Sequence, residues 1–238
     1  MTPTPFTVHV DDACLDDVRR RLVQTGWPAE IPAPGWSAGA EAATIRRLAD
    51  HWAEGFDWRV QEAALNQLPH FVVPIGGQQI HYLHLRGEGE ASLPIVLTHG
   101  WPSTFLELTK LADRLAHPSL YGGDPGDAFD VVVPSLPGFT FSPQRSDSAQ
   151  THELWHTLMS DVLGYQRFAA HGGDLGAGIT TRPARSHPES LAGIHLLAVA
   201  SPPAVPEQDQ TPEERRYLAE AAQWEQDEGA GRPPGRSP

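Results

Sequence analysis

The strongest candidate site in the sequence is Arg167-Phe-Ala-Ala-His-Gly-Gly-Asp-Leu-Gly-Ala177. Its first residues, 167–170, form a short apolar run that predicts a buried strand, and the residues from Leu175 onward predict a helix. Gly172 and Gly176 lie two residues before and two residues after Asp174. Because glycine lacks a side chain, this spacing lets the strand and the helix approach closely. The stretch therefore predicts a strand–turn–helix with Asp174 at its corner.

The aspartate at this corner has two interpretations. In the catalytic one, the turn is a nucleophile elbow that carries aspartate where serine is more common. The N–H groups at the helix N-terminus would then keep the carboxylate of Asp174 ionised and nucleophilic. In the other, Gly172-Gly-Asp174 is an ordinary turn and Asp174 caps the helix. The spacing alone leaves both open.

A second motif, Leu97-Thr-His-Gly-Trp-Pro-Ser103, ends another predicted strand. Ligands of parallel sheets bind at this end of the strands. In an elbow, one oxyanion donor is the N–H after the nucleophile, here Leu175, and the other comes from the loop after this strand, here Trp101. The segment His99-Gly-Trp-Pro102 by itself is weak support, since it could simply turn the chain. Two such motifs, each after a strand and in this order, favour the catalytic interpretation.

Strands and helices alternate from Phe71 onward, and this alternation predicts an α/β fold with a parallel sheet between helical layers, a three-layer sandwich. A β-hairpin with a Gly76-Gly77 turn is expected first. The predicted strands are 71–75, 79–85, 93–98, 129–133, 167–170 and 191–199, and the predicted helices are 103–115, 151–164 and one from 175. Pro183 should end or kink that last helix.

The chain divides into three predicted segments. Residues 1–70 form an N-terminal helical extension with helices from Asp11 or Asp12 to Thr25, at about 41–54 and at about 57–67. Residues 71–201 form the α/β core. Residues 202–238 contain a helix that starts at Thr211-Pro-Glu-Glu214, followed by a tail, 228–238, expected to be disordered.

The composition excludes several classes of function. The formal net charge is −13, which argues against binding to nucleic acid or to an anionic membrane surface. Cys14 is the only cysteine, so the chain forms no internal disulfide and no thiolate zinc site. The acidic N-terminus lacks an apolar stretch, so no secretory signal or membrane anchor is expected. These features predict a cytoplasmic protein.

From about Phe6 to Trp224 the chain resembles the microsomal-type epoxide hydrolases, α/β-hydrolases with an N-terminal epoxide-hydrolase segment. The resemblance rests on short stretches that occur in the family's order along nearly the whole chain. They are Trp27-Pro28, Phe56-Asp-Trp-Arg59, Leu65-Asn66, Ile80-His-Tyr82, His99-Gly-Trp-Pro102, Pro134-Ser-Leu-Pro-Gly-Phe139, Leu163-Gly-Tyr165 and Gly172-Gly-Asp-Leu-Gly176.

The resemblance implies epoxide opening through a covalent ester, with no cofactor and no metal. Asp174 would attack a carbon of a small apolar epoxide, and cap tyrosines would protonate the leaving oxygen. A water molecule activated by a histidine would then hydrolyse the ester. The N–H groups of Trp101 and Leu175 would hold the oxyanion, each such donor being worth ~3–4 kcal/mol of barrier. Phe139 and Trp101 would line the substrate pocket.

The remaining motif residues have structural roles in this interpretation. They shape the elbow and the loop that carries the oxyanion donor: His99, Gly100, Pro102, Gly172, Gly173 and Gly176.

The chain departs from the family's pattern after the nucleophile. The charge-relay acid and histidine of the family come well over a hundred residues later, on strands that we do not find here. Only His187, in a Ser-His-Pro loop, and His195, in an apolar strand, follow Asp174. Tyr217 is too early to be the proton donor. We therefore expect a C-terminally truncated member with impaired turnover, and an exposed sheet edge that favours self-association.

Two other motifs suggest different enzymes. Gly35-Trp-Ser-Ala-Gly39 matches the serine elbow, but the preceding prolines cannot form a central strand, so Ser37 is interpreted as a loop residue or helix cap. The segment His152-Glu-Leu-Trp-His156 matches the H-E-x-x-H pattern of zinc metallopeptidases. In that case Glu153 would be the base and Asp174 a conceivable third ligand. A non-catalytic fragment that dimerises or binds apolar ligands is a third alternative.

Overall fold

A seven-stranded mixed sheet forms the centre of the structure, a computed structural model. Its strands are β1 (Thr4–Pro5), β2 (His70–Ile75), β3 (Gln78–Leu85), β4 (Leu93–Thr98), β5 (Phe129–Pro134), β6 (Phe168–Gly173) and β7 (Leu191–Leu197). Their order is β1-β2-β3-β5-β4-β6-β7. The first four in this order pair antiparallel, whereas β5, β4, β6 and β7 pair parallel to their neighbours. The predicted hairpin is present.

The structure describes residues 1–29, 35–36, 39–143, 148–197 and 205–227. They belong to two units, Met1–Val199 and Ala200–Pro238. The described helices of the first unit are α1 (Asp12–Val23), α2 (Ala42–Asp50), α3 (Trp58–Leu65), α4 (Thr109–Ala116), α5 (Ser148–Thr157), α6 (Leu175–Thr181) and α7 (Pro183–Ser186). The second unit contains α8 (Pro212–Asp227).

Helices cover both faces of the sheet, which gives the predicted three-layer α/β sandwich. On one face, Leu154 and Trp155 of α5 and Ile179 of α6 pack against strand residues such as Val132. On the other face, α4 and the 3₁₀ turn Phe105–Leu108 pack against residues such as Val131. The central strands are buried on both sides, as expected for apolar strands in a parallel sheet.

Several predicted helix boundaries are corrected by the structure. In place of the helix predicted at 103–115 there are the 3₁₀ turn Phe105–Leu108 and α4. The turn begins after Thr104, whose side chain caps it by accepting the Leu106 N–H. The helices predicted at 41–54 and 151–164 end as π-helical turns, His51–Gly55 and Leu158–Val162.

The elbow segment also differs from its predicted boundaries. Strand β6 continues to Gly173 instead of ending at 170, since Leu97 and Thr98 of β4 pair with its last residues. The helix after it ends at Thr181, and Pro183 begins the short α7, as the missing N–H of proline predicts.

The N-terminal segment is attached to α3 through one asparagine. The side chain of Asn66 accepts the Val8 N–H at 2.8 Å and donates to the Val8 carbonyl at 2.9 Å. It thus pairs with Val8 as a neighbouring strand would. Glu62 adds a contact by accepting the Val10 N–H at 2.7 Å. These bonds hold residues 8–10 along the helix.

We expect Asn66→Ala to destabilise the first unit by about 2–3 kcal/mol, because both backbone groups of the buried Val8 lose their partners. Urea unfolding followed by circular dichroism measures the change. Gln67→Ala is the matched control, since the Gln67 amide donates to the Ala63 carbonyl at the surface. Equal midpoints for the two variants would contradict the assignment.

The helix of the second unit, α8, begins with a capping box. Thr211 Oγ1 accepts the Glu214 N–H at 3.2 Å, and Glu214 accepts the Thr211 N–H at 2.7 Å. This start agrees with the sequence prediction. The predicted tail, 228–238, and the serine of the second elbow motif, Ser37, lie outside the described residues. In the described ranges, no helix is long and apolar enough to cross a bilayer.

Candidate active site

The backbone turns sharply at Asp174, between β6 and α6. Asp174 has φ 53° and ψ −120°, a conformation that costs energy for a residue with a side chain and is concentrated at functional sites. A Cβ on Gly172 would lie 2.1 Å from the Gly176 carbonyl oxygen. Only glycine fits there, so the corner brings strand and helix into backbone contact, as the spacing predicted.

The carboxylate of Asp174 is hydrogen-bonded to the loop that follows β4. Its Oδ1 atom accepts the Trp101 N–H at 3.0 Å. This hydrogen bond is the largest cause that lowers the pKa of Asp174 below its ordinary value, and the Leu175 N–H is the second. The structure therefore brings the two predicted donors to one carboxylate, which is ionised at neutral pH and exposed to solvent.

The loop after β4 is shaped to receive this carboxylate. A Cβ on Gly100 would lie 2.6 Å from Cβ and 2.8 Å from Oδ1 of Asp174. The Gly100 N–H points away, to Glu107 Oε1 at 3.3 Å. The next peptide bond, Trp101–Pro102, is cis. Gly173, by contrast, has room for a side chain, since a Cβ there would make only ordinary contacts.

His99 fixes the beginning of the same loop from inside. Its Nδ1 lies 3.0 Å from the Gly100 carbonyl oxygen, and its Nε2 accepts the Leu136 N–H at 3.1 Å. Because Nε2 accepts, the proton is on Nδ1 and the ring is neutral. Burial lowers the pKa of His99, which agrees with this assignment. His99 is therefore a buried structural residue.

A cleft of about 320 Å³ opens beside Asp174. Its described lining residues are Thr98, Gly100, Trp101, Ser103, Glu107, Leu108, His171, Gly173, Asp174 and Leu197. The predicted pocket residue Trp101 is among them. Phe139 is not, because its ring packs edge-on against His99 with the centroids 5.3 Å apart. Phe139 thus supports the loop after β4 from behind.

Sequence reasoning missed the histidine in this cleft. His171 lies three residues before Asp174, and its Nδ1 is 2.8 Å from Nδ1 of His195 on the neighbouring strand. The two residues are paired in the register of β6 and β7. Burial, and then the proximity of His195, lower the pKa of His171. The signal that could have identified it is strand alternation. His171 and Gly173 are two residues apart on β6, so they face the same side of the sheet, the side of the cleft.

The H-E-x-x-H segment has a different arrangement from a zinc site. Both oxygens of Glu153 are occupied, by His152 Nε2 and by His187 Nε2, each at 2.9 Å. His156 Nε2 bonds to Ser190 Oγ at 3.1 Å, and its ring stacks on His187. Nowhere in the described ranges do three potential ligands converge on one point. The metallopeptidase alternative therefore has no support.

Comparison with known proteins agrees with this arrangement. The family model described as "Epoxide hydrolase N terminus" matches residues 3–108, and the one described as "alpha/beta hydrolase fold" matches residues 94–228. A protein of Stigmatella aurantiaca (strain DW4/3-1) that is named as an epoxide hydrolase is 43% identical over 223 residues, 92% of this chain and 50% of its own length. The chain belongs to the epoxide hydrolase family.

More distant epoxide hydrolases also match. Epoxide hydrolase 1 of Oryctolagus cuniculus is 31% identical over 81% of this chain and 44% of its own length. The Aspergillus niger epoxide hydrolase structure superimposes with a TM-score of 0.78 and 27% identity, over 97% of this chain and 62% of that one. The chain thus spans about half the length of the curated relatives it matches.

Proposed function

We propose that Asp174 is the nucleophile of this epoxide hydrolase and forms an ester with an epoxide. The observation that supports this proposal is the bond from the Trp101 N–H to Oδ1. Because this bond engages Oδ1, the second oxygen, Oδ2, is the atom that attacks the epoxide at the cleft. The low pKa of Asp174, caused by the amides of Trp101 and Leu175, keeps Oδ2 unprotonated.

The reaction follows from the different environments of the two oxygens. A lone pair of Oδ2 attacks a ring carbon, and the bond between that carbon and the epoxide oxygen breaks. The released oxygen takes a proton from a solvent water molecule, which leaves as hydroxide, and becomes a hydroxyl group. Oδ1 becomes the carbonyl oxygen of the ester and keeps its contact with the Trp101 N–H. When water later adds to the ester carbon, the negative charge develops on Oδ1, where the Trp101 N–H stabilises it.

We also propose that the 238-residue chain by itself hydrolyses the ester slowly. Ester hydrolysis needs a base that removes a proton from the attacking water. The described histidine that lines the cleft is His171, whose Nδ1 bonds to another imidazole, His195. A carboxylate in that position would stabilise the imidazolium that forms. A second imidazole supplies no negative charge and does so less well, so the ester should accumulate.

Incubation with styrene oxide followed by intact-mass spectrometry tests both steps. The expected result is one added epoxide mass per chain, located on Asp174 by peptide mapping, with little free diol. Absence of an adduct together with absence of diol would overturn the nucleophile assignment. Rapid release of diol, with no adduct, would overturn slow hydrolysis but retain the family reaction.

We further propose that the chain self-associates through β7. In the described part of the sheet, β7 pairs only with β6, and its residues Ile194 and Leu197 are 41% and 56% exposed. An apolar edge strand with free backbone groups pairs readily with another copy. Antiparallel pairing about Ile194 would place Leu191 opposite Leu197 of the second copy.

We expect Ile194→Lys to shift the chain from dimer to monomer, because a charge on the edge opposes pairing. Sedimentation velocity over a tenfold concentration range measures the change. Val60→Lys, at an even more exposed apolar position on α3, is the control and should leave the dimer intact. A monomeric parent chain, or a dimer unaffected by Ile194→Lys, would refute the proposed interface.

A further inference from the structure

A buried chain of hydrogen bonds links the end of α3 to the loop after β5. His70 Nε2 lies 2.8 Å from the Leu65 carbonyl oxygen, and His70 Nδ1 lies 2.9 Å from His81 Nε2. His81 Nδ1 lies 2.8 Å from Ser135 Oγ, which is 2.7 Å from Thr140 Oγ1. The two imidazoles and Ser135 are buried.

These hydrogen bonds all run in one direction, because the Leu65 carbonyl oxygen at one end can only accept. Nε2 of His70 must donate to it, so Nδ1 of a neutral His70 accepts from His81 Nε2. Nδ1 of His81 then accepts from the Ser135 hydroxyl, and Ser135 accepts from the Thr140 hydroxyl. Burial favours neutral rings: it lowers the pKa of His70 and lowers that of His81 to about 3.

The loop 135–142, where this series of hydrogen bonds ends, is also hydrogen-bonded to the candidate active site. Ser135–Ser142 is a compact turn in which Thr140 has φ 42°. Ser142 Oγ accepts the His81 N–H and donates to the Ser135 carbonyl oxygen, each at 3.0 Å. The Leu136 N–H donates to His99, whose own Nδ1–H donates to the Gly100 carbonyl oxygen. The next residue carries the N–H that holds Asp174.

We propose that His81 and Ser135 are positioning residues that hold the loop 135–142 against His99 and so fix the Trp101 N–H at Oδ1 of Asp174. Neither touches the carboxylate. Ser135 sets the orientation of the His81 ring, and both anchor Leu136. The consequence for the reaction rests on the proposed function, whereas the hydrogen-bond directions and the position of Trp101 do not.

Nitrogen-15 NMR of the imidazole rings in the full chain tests the directions. The expected signature at pH 7 is Nε2–H for His70 and His81 and Nδ1–H for His99. If His70 or His81 carries Nδ1–H, or if either ring is charged at pH 7, the proposed chain is wrong. This measurement needs no substrate.

Hydrogen exchange tests the coupling. Ser135→Ala should increase amide exchange at Trp101 at least tenfold, while the amides that bond β2 to β3 keep their protection. Thr140→Val, which removes the hydroxyl that donates to Ser135, should increase exchange at Trp101 by a smaller factor. This variant replaces Ser135→Ala in the test if Ser135→Ala does not fold. Thr109→Val removes a surface hydroxyl bond to the Leu106 carbonyl and should change nothing at Trp101. Exchange at Trp101 within twofold of the parent in both loop variants would overturn the proposal.

The reaction provides a separate readout. Ser135→Ala should slow ester formation with styrene oxide at least tenfold at saturating epoxide and leave the half-saturating concentration unchanged. If the parent chain forms no ester, the proposed function fails, and the NMR and exchange results still decide the positioning role. Unchanged rates in a variant with faster Trp101 exchange would show that the held amide has no part in ester formation and would overturn the catalytic consequence.

Discussion

Asp174→Asn should abolish the covalent labelling of the chain by styrene oxide, with a rate at least about a thousandfold lower. Asparagine has nearly the same shape as aspartate, and its Oδ1 can still accept the Trp101 N–H. The group at the position of Oδ2 becomes an amide nitrogen, whose lone pair is delocalised and does not attack an epoxide carbon. The variant therefore removes the nucleophile and preserves the turn. Intact-mass spectrometry over a time course measures the loss.

The control for this variant is Asp161→Asn, which changes a surface carboxylate in the π-helical turn after α5. It should be labelled at the parent rate. Labelling of Asp174→Asn at the parent rate would show that the epoxide reacts elsewhere, for example at the exposed thiol of Cys14. Peptide mapping distinguishes the two positions. Equal thermal midpoints for the two variants would show that the loss is chemical and not a loss of fold.

The parts of the site that sequence could predict are those set by local backbone geometry. The spacing of Gly172 and Gly176 around Asp174 requires close contact of strand and helix, and the structure shows it. The loop after β4 is predicted to supply an oxyanion donor from Trp101, and in the structure the Trp101 nitrogen lies 3.0 Å from Oδ1 of Asp174. Both motifs lie at strand ends, so the sheet itself brings them together.

The parts that sequence could not predict depend on the register between distant segments. His171 meets His195 only because β6 and β7 pair at those residues. Phe139, predicted to line the pocket, turns toward His99, since the loop 135–142 is held from both sides. In the H-E-x-x-H segment the helical spacing was clear, but His187 and Ser190 come from another element and take the bonds that zinc would need.

Gly176→Ala should unfold the first unit or destabilise it by about 3 kcal/mol or more. A Cβ at this position would lie 2.2 Å from the Thr98 carbonyl oxygen and 2.9 Å from both the Thr98 carbonyl carbon and the His99 carbonyl oxygen. These are backbone atoms at the end of β4, so they cannot rotate away as a side chain can. Relief of the clash requires α6 to separate from the sheet, and overpacking of this kind costs more than a core side chain that can shift.

Gly178→Ala provides the matched control in the same helix. Outside the neighbouring backbone of α6, no described atom lies within 4 Å of a Cβ at Gly178, so alanine there should stabilise the chain by up to about 1 kcal/mol through its higher helix propensity. Urea unfolding of both variants separates the two effects, because each adds the same methyl group to α6. If Gly176→Ala were as stable as Gly178→Ala, the close contact of β4, β6 and α6 would be wrong. That result would also contradict the hydrogen bond from the Trp101 N–H to Asp174, because the contact between the end of β4 and α6 positions both Trp101 and Asp174.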